Sequence, residues 1–291
     1  QNCSSVSSYE IPNSVTHIGT SAFQGSNYAD ITIASGCNTT VLDKAFDGIR
    51  NIYANATVPP AITKTSIVNS AALIIVPDNL LQTYKTADVW KDLAQQIVSI
   101  GNTKQRVATI SAEPDKSALH MAIGESNLLN TTSLKVNGTI NSYDIMLIRN
   151  KMLNLRYLDL SAAEVVTNEY EYYTGYSSHD NMLENYAFSE LKLRVVHLPK
   201  NLIAINDCFT SCLYLDTVYC QPGLETIGSN TFKGCTALTE VVLCEGLEGI
   251  ADYGFNGCTM LKDIVIPDGC MEQVPVGLHP GTSFENQKEN H

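Results

Sequence analysis

The chain has 291 residues, 44% hydrophobic and 16% charged, with a formal net charge of −12. That length admits two ordinary domains, and the acidic balance argues against a phosphate-tracking surface, so neither nucleic acid nor anionic membrane is an expected partner. No apolar run approaches the roughly 20 residues of a membrane span, so no membrane insertion is expected.

From the N-terminus one spacing recurs: apolar, two free, apolar, one free, apolar. It reads Tyr28-Ile31-Ile33, Ile49-Ile52-Ala54 and Ala71-Ile74-Val76. The last two apolar residues alternate, as in a short strand with one buried face. Phe23 and Phe46 stand ahead of their triplets, and Ile18 lies five residues before Phe23. That segment is predicted to be a helical or 3₁₀ turn behind the strand, its ring filling the core. Residues 77–100 break the spacing. Asp78 is a helix N-cap candidate, Leu80, Leu81, Tyr84 and Val89 make an apolar stripe, and the single tryptophan, Trp90, lies here. The ends of a repeat stack expose core, so 77–100 is expected to be a helix capping a first array at 1–100. A polar linker follows at 101–106.

Residues 107–154 read as the opening cap of a second array at 107–291. Leu119, Ala122 and Ile123 share one side of an amphipathic stretch at 116–123, and the spacing returns at Thr131-Leu134-Val136. Asn141 or Ser142 then opens a helix with Ile145, Ile148 and Met152 on one face, Asp144 near its start and Arg149 and Lys151 near its end. The triplets continue as Leu155-Leu158-Leu160, Leu193-Val196-Leu198, Leu215-Val218-Cys220, Leu238-Val241-Leu243 and Leu261-Ile264-Ile266. Phe188, Phe209, Phe232 and Phe255 precede four of them. An insertion at 161–187 interrupts the array with Tyr170, Tyr172, Tyr173 and Tyr176. It is either an amphipathic contact surface or a loop packed back on the coil. Val274, Leu278 and Phe284 match a further unit with no strand after it, a degenerate cap or a truncation. The start, Gln1-Asn2-Cys3, has no basic-then-apolar leader and reads as a processed end or a boundary.

Ile227, Phe232, Cys235, Leu238, Val241 and Leu243 recur 23 residues later as Ile250, Phe255, Cys258, Leu261, Ile264 and Ile266. A fixed register of this length is the mark of a solenoid, whose units bury their apolar side only by stacking. Of nine cysteines, Cys212, Cys235 and Cys258 occupy one repeat position. They read as a ladder of small buried hydrophobes; disulfides between rungs would need specific geometry. The other six, Cys3, Cys37, Cys208, Cys220, Cys244 and Cys270, fall outside the ladder. No CxxC pair supports zinc.

At IPNSVTHIGTSAFQG (11–25) and IGSNTFKGCTALTEVVL (227–243) the chain resembles the bacterial surface-antigen (BspA-like) leucine-rich repeats. It departs from their pattern at Gly25-Ser26, at Ser211-Cys212 and in the tyrosine insertion. The resemblance implies an α/β leucine-rich repeat solenoid, a right-handed coil with a concave parallel sheet, here as two arrays with capping helices. It also implies an exported or cell-surface bacterial protein that binds proteins on host or neighbouring cells.

On that fold the residues between the buried strand positions face the concave side. In the second array they are Lys135, Tyr157, Asp159, Val195, His197, Thr217, Tyr219, Glu240, Val242, Asp263 and Val265, with Tyr157, His197 and Tyr219 expected as one column flanked by acids. Tyrosine is enriched at interface hot spots. The first array offers Asp30, Thr32, Asn51, Tyr53, Leu73 and Ile75. Catalytic signals are missing. His17, His120, His179, His197, His279 and His291 form no metal-ligand spacing, and Asp252, Asp263 and Asp268 lack that of a calcium loop. No cofactor, metal or enzymatic activity is expected. The expected function is binding of a macromolecule through the concave face. The alternatives are a glycan-binding surface protein using the tyrosine loop, and a structural spacer.

Overall fold

The computed structural model describes residues 8–26, 29–69, 71–266, 277, 278, 280 and 282–286. Cys3, Tyr28, Asp268, Cys270, Val274, His279 and His291 lie outside them, as does the side chain of Phe284. The chain divides into two compact units, Gln1–Lys104 and Gln105–His291.

In the first unit, Ser8–Ile11, Asp30–Ile33, Asn51–Ala54, Leu73–Val76 and Ile97–Ser99 form a five-stranded parallel sheet in chain order. Its register stacks Ile31, Ile52, Ile74 and Ile97, all fully buried. These β-branched residues sit on one face of the pleat, so each strand covers its neighbour's apolar side. A second parallel sheet, His17–Ile18, Thr40–Val41 and Ala61–Ile62, pairs Ile18, Val41 and Ile62. Phe23 and Phe46 stack at 5.9 Å.

The helix expected over 77–100 is not one element. Asp78–Leu80 is a 3₁₀ turn, Leu81–Thr86 a short α-helix and Trp90–Leu93 a second 3₁₀ turn, and Ile97–Ser99 is the fifth strand. Ala87 turns extended at the helix end and Val89 takes φ +64°, so the helix cannot propagate. Tyr84 and Trp90 are buried edge to face at 5.0 Å. Tyr84 Oη donates to the Ala56 carbonyl at 2.9 Å and Trp90 Nε1 to that of Pro60 at 2.7 Å. Asp78 caps no helix: Pro77 holds that position, and the Asp78 carboxylate accepts from the Gly101 N–H at 3.0 Å. That bond ties down a 3₁₀ turn at Ile100–Thr103, and Arg106 already opens the next strand, so most of the expected 101–106 linker is structured.

The second unit repeats the scheme at greater length. Arg106–Ile110, Ser133–Ile140, Tyr157–Val165, Val195–His197, Thr217–Tyr219 and Glu240–Val242 form a six-stranded parallel sheet, again in chain order. Leu134, Leu158, Val196, Val218 and Val241 stack in register beneath it. Met182–Glu184, Ala204–Asn206, Thr226–Ile227 and Gly249–Ile250 make a second parallel sheet that pairs Leu183, Ile205, Ile227 and Ile250. Helix Ala118–Ile123 starts on the Ser117 hydroxyl, with Leu119 and Ile123 buried but Ala122 exposed. Helix Ser142–Lys151 starts at Asn141, whose side chain and that of Asp144 close a capping box.

The phenylalanine segments are turns, not helices. Phe188, Phe209, Phe232 and Phe255 stack at 5.2–5.8 Å. Their backbone donors are used between repeats: Phe209 N–H to the Thr231 carbonyl, Phe232 N–H to Gly254, Ser211 N–H to Lys233 and Gly234 N–H to Asn256, at 2.7–2.9 Å. Positive φ at Ser211, Asn230, Gly234, Tyr253 and Gly257 tightens each turn. A helix would spend these donors within its own repeat and leave the stack unbonded.

Two expectations near the ends of the array also fail. Residues 161–165 extend the Tyr157–Val165 strand past a bulge, and 182–184 belong to the second sheet. The insertion shrinks to an antiparallel hairpin, Asn168–Tyr173 with Tyr176–Ser178. Past residue 266 a strand does follow: Ser283–Asn286 pairs in parallel with Asp263–Ile266, with Phe284 opposite Ile264.

Candidate functional site

The outward side chains of the six-stranded sheet fall into two files because the strands are in register. One file runs Ser133, Tyr157, Val195, Thr217, Glu240; the other runs Lys135, Asp159, His197, Tyr219, Val242. All are partly or fully exposed except Ser133, while the residues between them are buried. Tyr157 therefore does not share a column with His197 and Tyr219. It lies in the neighbouring file beside Val195, because it precedes Leu158 whereas His197 follows Val196 and Tyr219 follows Val218.

Within the second file the contacts are specific. Lys135 Nζ meets Asp159 Oδ2 at 2.7 Å. The Ser161 N–H and hydroxyl donate to Asp159 Oδ1 at 2.9 and 2.6 Å. Burial pushes the Asp159 carboxyl up, but the hydrogen bonds from Lys135 and Ser161 together hold it below the ordinary range. His197 and Tyr219 stack with centroids 4.3 Å apart and planes 8° apart. The file is thus an ion pair followed by an aromatic stack, set on a rigid sheet. A depression of ≈ 160 Å³ opens among Tyr157, Asp159, Val195 and His197. That is smaller than the roughly 300 Å³ lower bound of a small-molecule site.

Asp263 and Val265 stand apart from the others. Their strand pairs with Ser283–Asn286 and not with Glu240–Val242, so the sheet ends at Val242. A cavity of ≈ 410 Å³ lies where the next ladder would be, lined by Glu240, Val242, Glu245, Asp263 and Val265 among others. In the first unit Leu73 and Ile75 are 3% exposed and Val98 is fully buried, forming their own cluster with Tyr53 against it. They offer no surface.

The four loop tyrosines do not act together. Tyr172 is buried and donates to the Glu184 carbonyl at 2.6 Å; burial raises its phenol above the ordinary range. Tyr170 stacks on Tyr143 at 4.1 Å. Tyr173 and Tyr176 gather around Tyr186, and the Arg149 guanidinium lies 4.9 Å from the Tyr173 ring. Arg149 also donates to the Tyr186 carbonyl. Tyr143 and Tyr186 were not singled out in the sequence, since one sits in a helix and the other in a turn of the array.

The described cysteines face inward. Cys212, Cys235 and Cys258 donate Sγ–H to the carbonyls of Phe188, Phe209 and Phe232, one repeat earlier, at 3.0, 3.2 and 3.1 Å. Burial pushes the Cys212 and Cys258 thiols up to about 12. All seven described cysteines are buried. Two buried cations have no counterpart in the sequence reading. Arg156 and Arg194 are 0% and 4% exposed, and burial plus the neighbouring Arg194 charge bring Arg156 down to about 9. Arg156 Nη1 donates to the Leu153 and Leu155 carbonyls. Both follow the first apolar residue of a triplet, where Asp216 and Thr239 stand in later repeats.

Among the described residues no group of three His, Cys, Asp or Glu side chains is placed to hold a metal ion, and no helix is long and apolar enough to cross a membrane. A family model, the BspA type leucine rich repeat region, matches in six copies over residues 1–71 and 176–274. A solved leucine-rich repeat protein from Bacteroides ovatus is similar at 16% identity and a TM-score of 0.23, over 99% of this chain and 85% of its own. No curated protein matches.

Proposed function

We propose, for a chain that belongs to the BspA-type leucine-rich repeat family, a non-catalytic role as a bacterial surface or secreted protein that binds a macromolecular partner. In this reading each unit is a solenoid. The first is an array at 1–100 closed by 77–100, and the second an array at 107–291 opened by 107–154. The binding surface is the concave face of the second. The supporting observation is the pair of registered outward files, which place Tyr157 beside the His197–Tyr219 stack and the Lys135–Asp159 pair on a sheet that loses little entropy on binding. The test is retention of partners from host and bacterial surface extracts. Alanine at Tyr157, His197 and Tyr219 together should abolish it, and unchanged retention sinks the reading.

A second reading uses the hairpin. Tyr170 and Tyr173 stay 42% and 44% exposed, each backed by another ring. Such faces suit sugar rings. Glycan-array binding that vanishes on deleting 168–178 would support it, and a silent array would remove it.

A further inference from the structure

We propose that the break between the Glu240–Val242 and Asp263–Ile266 strands receives a lysine or arginine side chain from an extended segment of the partner protein. The proposal rests on the reading that this face binds protein, and names the chemistry of the partner.

Three observations carry it. First, the ladder is unfinished. Earlier strands bond forward without a gap, Leu198 N–H to the Tyr219 carbonyl and Cys220 N–H to the Val242 carbonyl at 2.9 Å. Among the described residues the strands Glu240–Val242 and Asp263–Ile266 are not paired, and neither the Leu243 N–H nor the Thr239 carbonyl makes such a bond. By the same register the carbonyls of Thr239 and Val241 and the N–H groups of Val241 and Leu243 face the gap. Carbonyls in such a position need a donor. Second, the gap is a real cavity of ≈ 410 Å³, and Glu240, Glu245 and Asp263 stand around it. Among the described residues none of the three has a cationic partner; Asp263 accepts only from the Ser283 hydroxyl. Third, the charge of the chain is unevenly spread. Residues 1–104 carry 6 Lys and Arg against 7 Asp and Glu, and residues 105–291 carry 12 against 23. Several of those cations are already committed, with Arg156 and Arg194 buried and Lys135 paired to Asp159. The formal −11 of the second unit steers cationic partners to it.

Three carboxylates around a hole with Val242 and Val265 at its mouth fit a group that only donates at the end of an apolar stem, while the mixed carbonyls and N–H groups of the open edge fit the extended backbone that carries it. Lysine and arginine are such groups. The backbone of the partner would lie across the face toward Tyr219.

The probe is a capped, fluorescent heptapeptide with one central arginine among threonines and valines. Its control carries the neutral isostere citrulline. Anisotropy with the full chain at physiological salt should show at least tenfold tighter binding of the arginine peptide, the scale of one charge-assisted contact. Glu240→Gln with Asp263→Asn should erase the preference, with the circular dichroism spectrum unchanged. Glu245→Gln, on the exposed rim, should reduce it in a background that needs no refolding check. Equal binding of the two peptides overturns the proposal. So does a preference that survives the double substitution, which would mark attraction to the acidic unit at large, or displacement of the peptide by calcium alone, which would mark a cation site. Loss of partner retention at Tyr157, His197 and Tyr219 with no arginine preference would refute the cleft alone; the opposite pattern would refute the binding face alone.

Discussion

The two units use one strand pattern and end with different outer faces. At Leu73, Ile75 and Val98 the first unit's sheet is buried on both sides, whereas Val195, Thr217 and Tyr219 in the second keep water on one. The inward positions carry the same kind of residue, Ile74 and Ile97 in one unit and Val196 and Val218 in the other. Under the proposed function, what is bound depends on the residues the repeat leaves free. A motif match that scores the inward positions is blind to that difference.

Substitutions can break this comparison. The largest effect should come from the ring stack. Phe232→Ala removes a fully buried ring between Phe209 and Phe255 and should cost about 3–5 kcal/mol in urea unfolding. Next, Ile75→Ala should cost about 2–4 kcal/mol and Thr217→Ala no more than about 0.5 kcal/mol, although both stand at outward positions. Equal costs would erase the distinction between the faces. Tyr84→Phe leaves the Ala56 carbonyl without its donor and should cost about 1 kcal/mol. The ladder thiols should resist alkylation near pH 8 until denaturant is added, because burial keeps Cys212 and Cys258 protonated to about pH 12.

The Lys135–Asp159 pair, both members partly exposed, is worth only up to about 1 kcal/mol. Asp159 is held below the ordinary carboxylate range in the folded chain. Its contribution is therefore complete above the unfolded value and fades as pH falls through the folded one. Acid titration of stability should show the parent ahead of Asp159→Asn at neutral pH and the gap closing at the acid end.

Much of the architecture was legible. Strands such as 157–160 and 195–198 announce themselves because one face is wet and the other dry, which writes a period of two. Ile97–Ser99 was missed for the opposite reason: buried on both faces, it shows no alternation. The phenylalanine segments suggest a helical or 3₁₀ turn because apolar spacing does not say whether a donor bonds within its repeat or to the next. The end of the sheet left no trace at all. Val218 to Val241 and Val241 to Ile264 are both steps of 23, yet only the first pair of strands is bonded. Tyr172 looked like its neighbours on the hairpin, and only the register of the hairpin turned it inward.

Oxidative footprinting of the protein alone and with its captured partner tests the central claim most directly, since it reads each exposed ring separately. Binding through the concave face should protect Tyr157, His197 and Tyr219 and leave Tyr170 and Tyr173 unchanged. Protection confined to the hairpin tyrosines would contradict it.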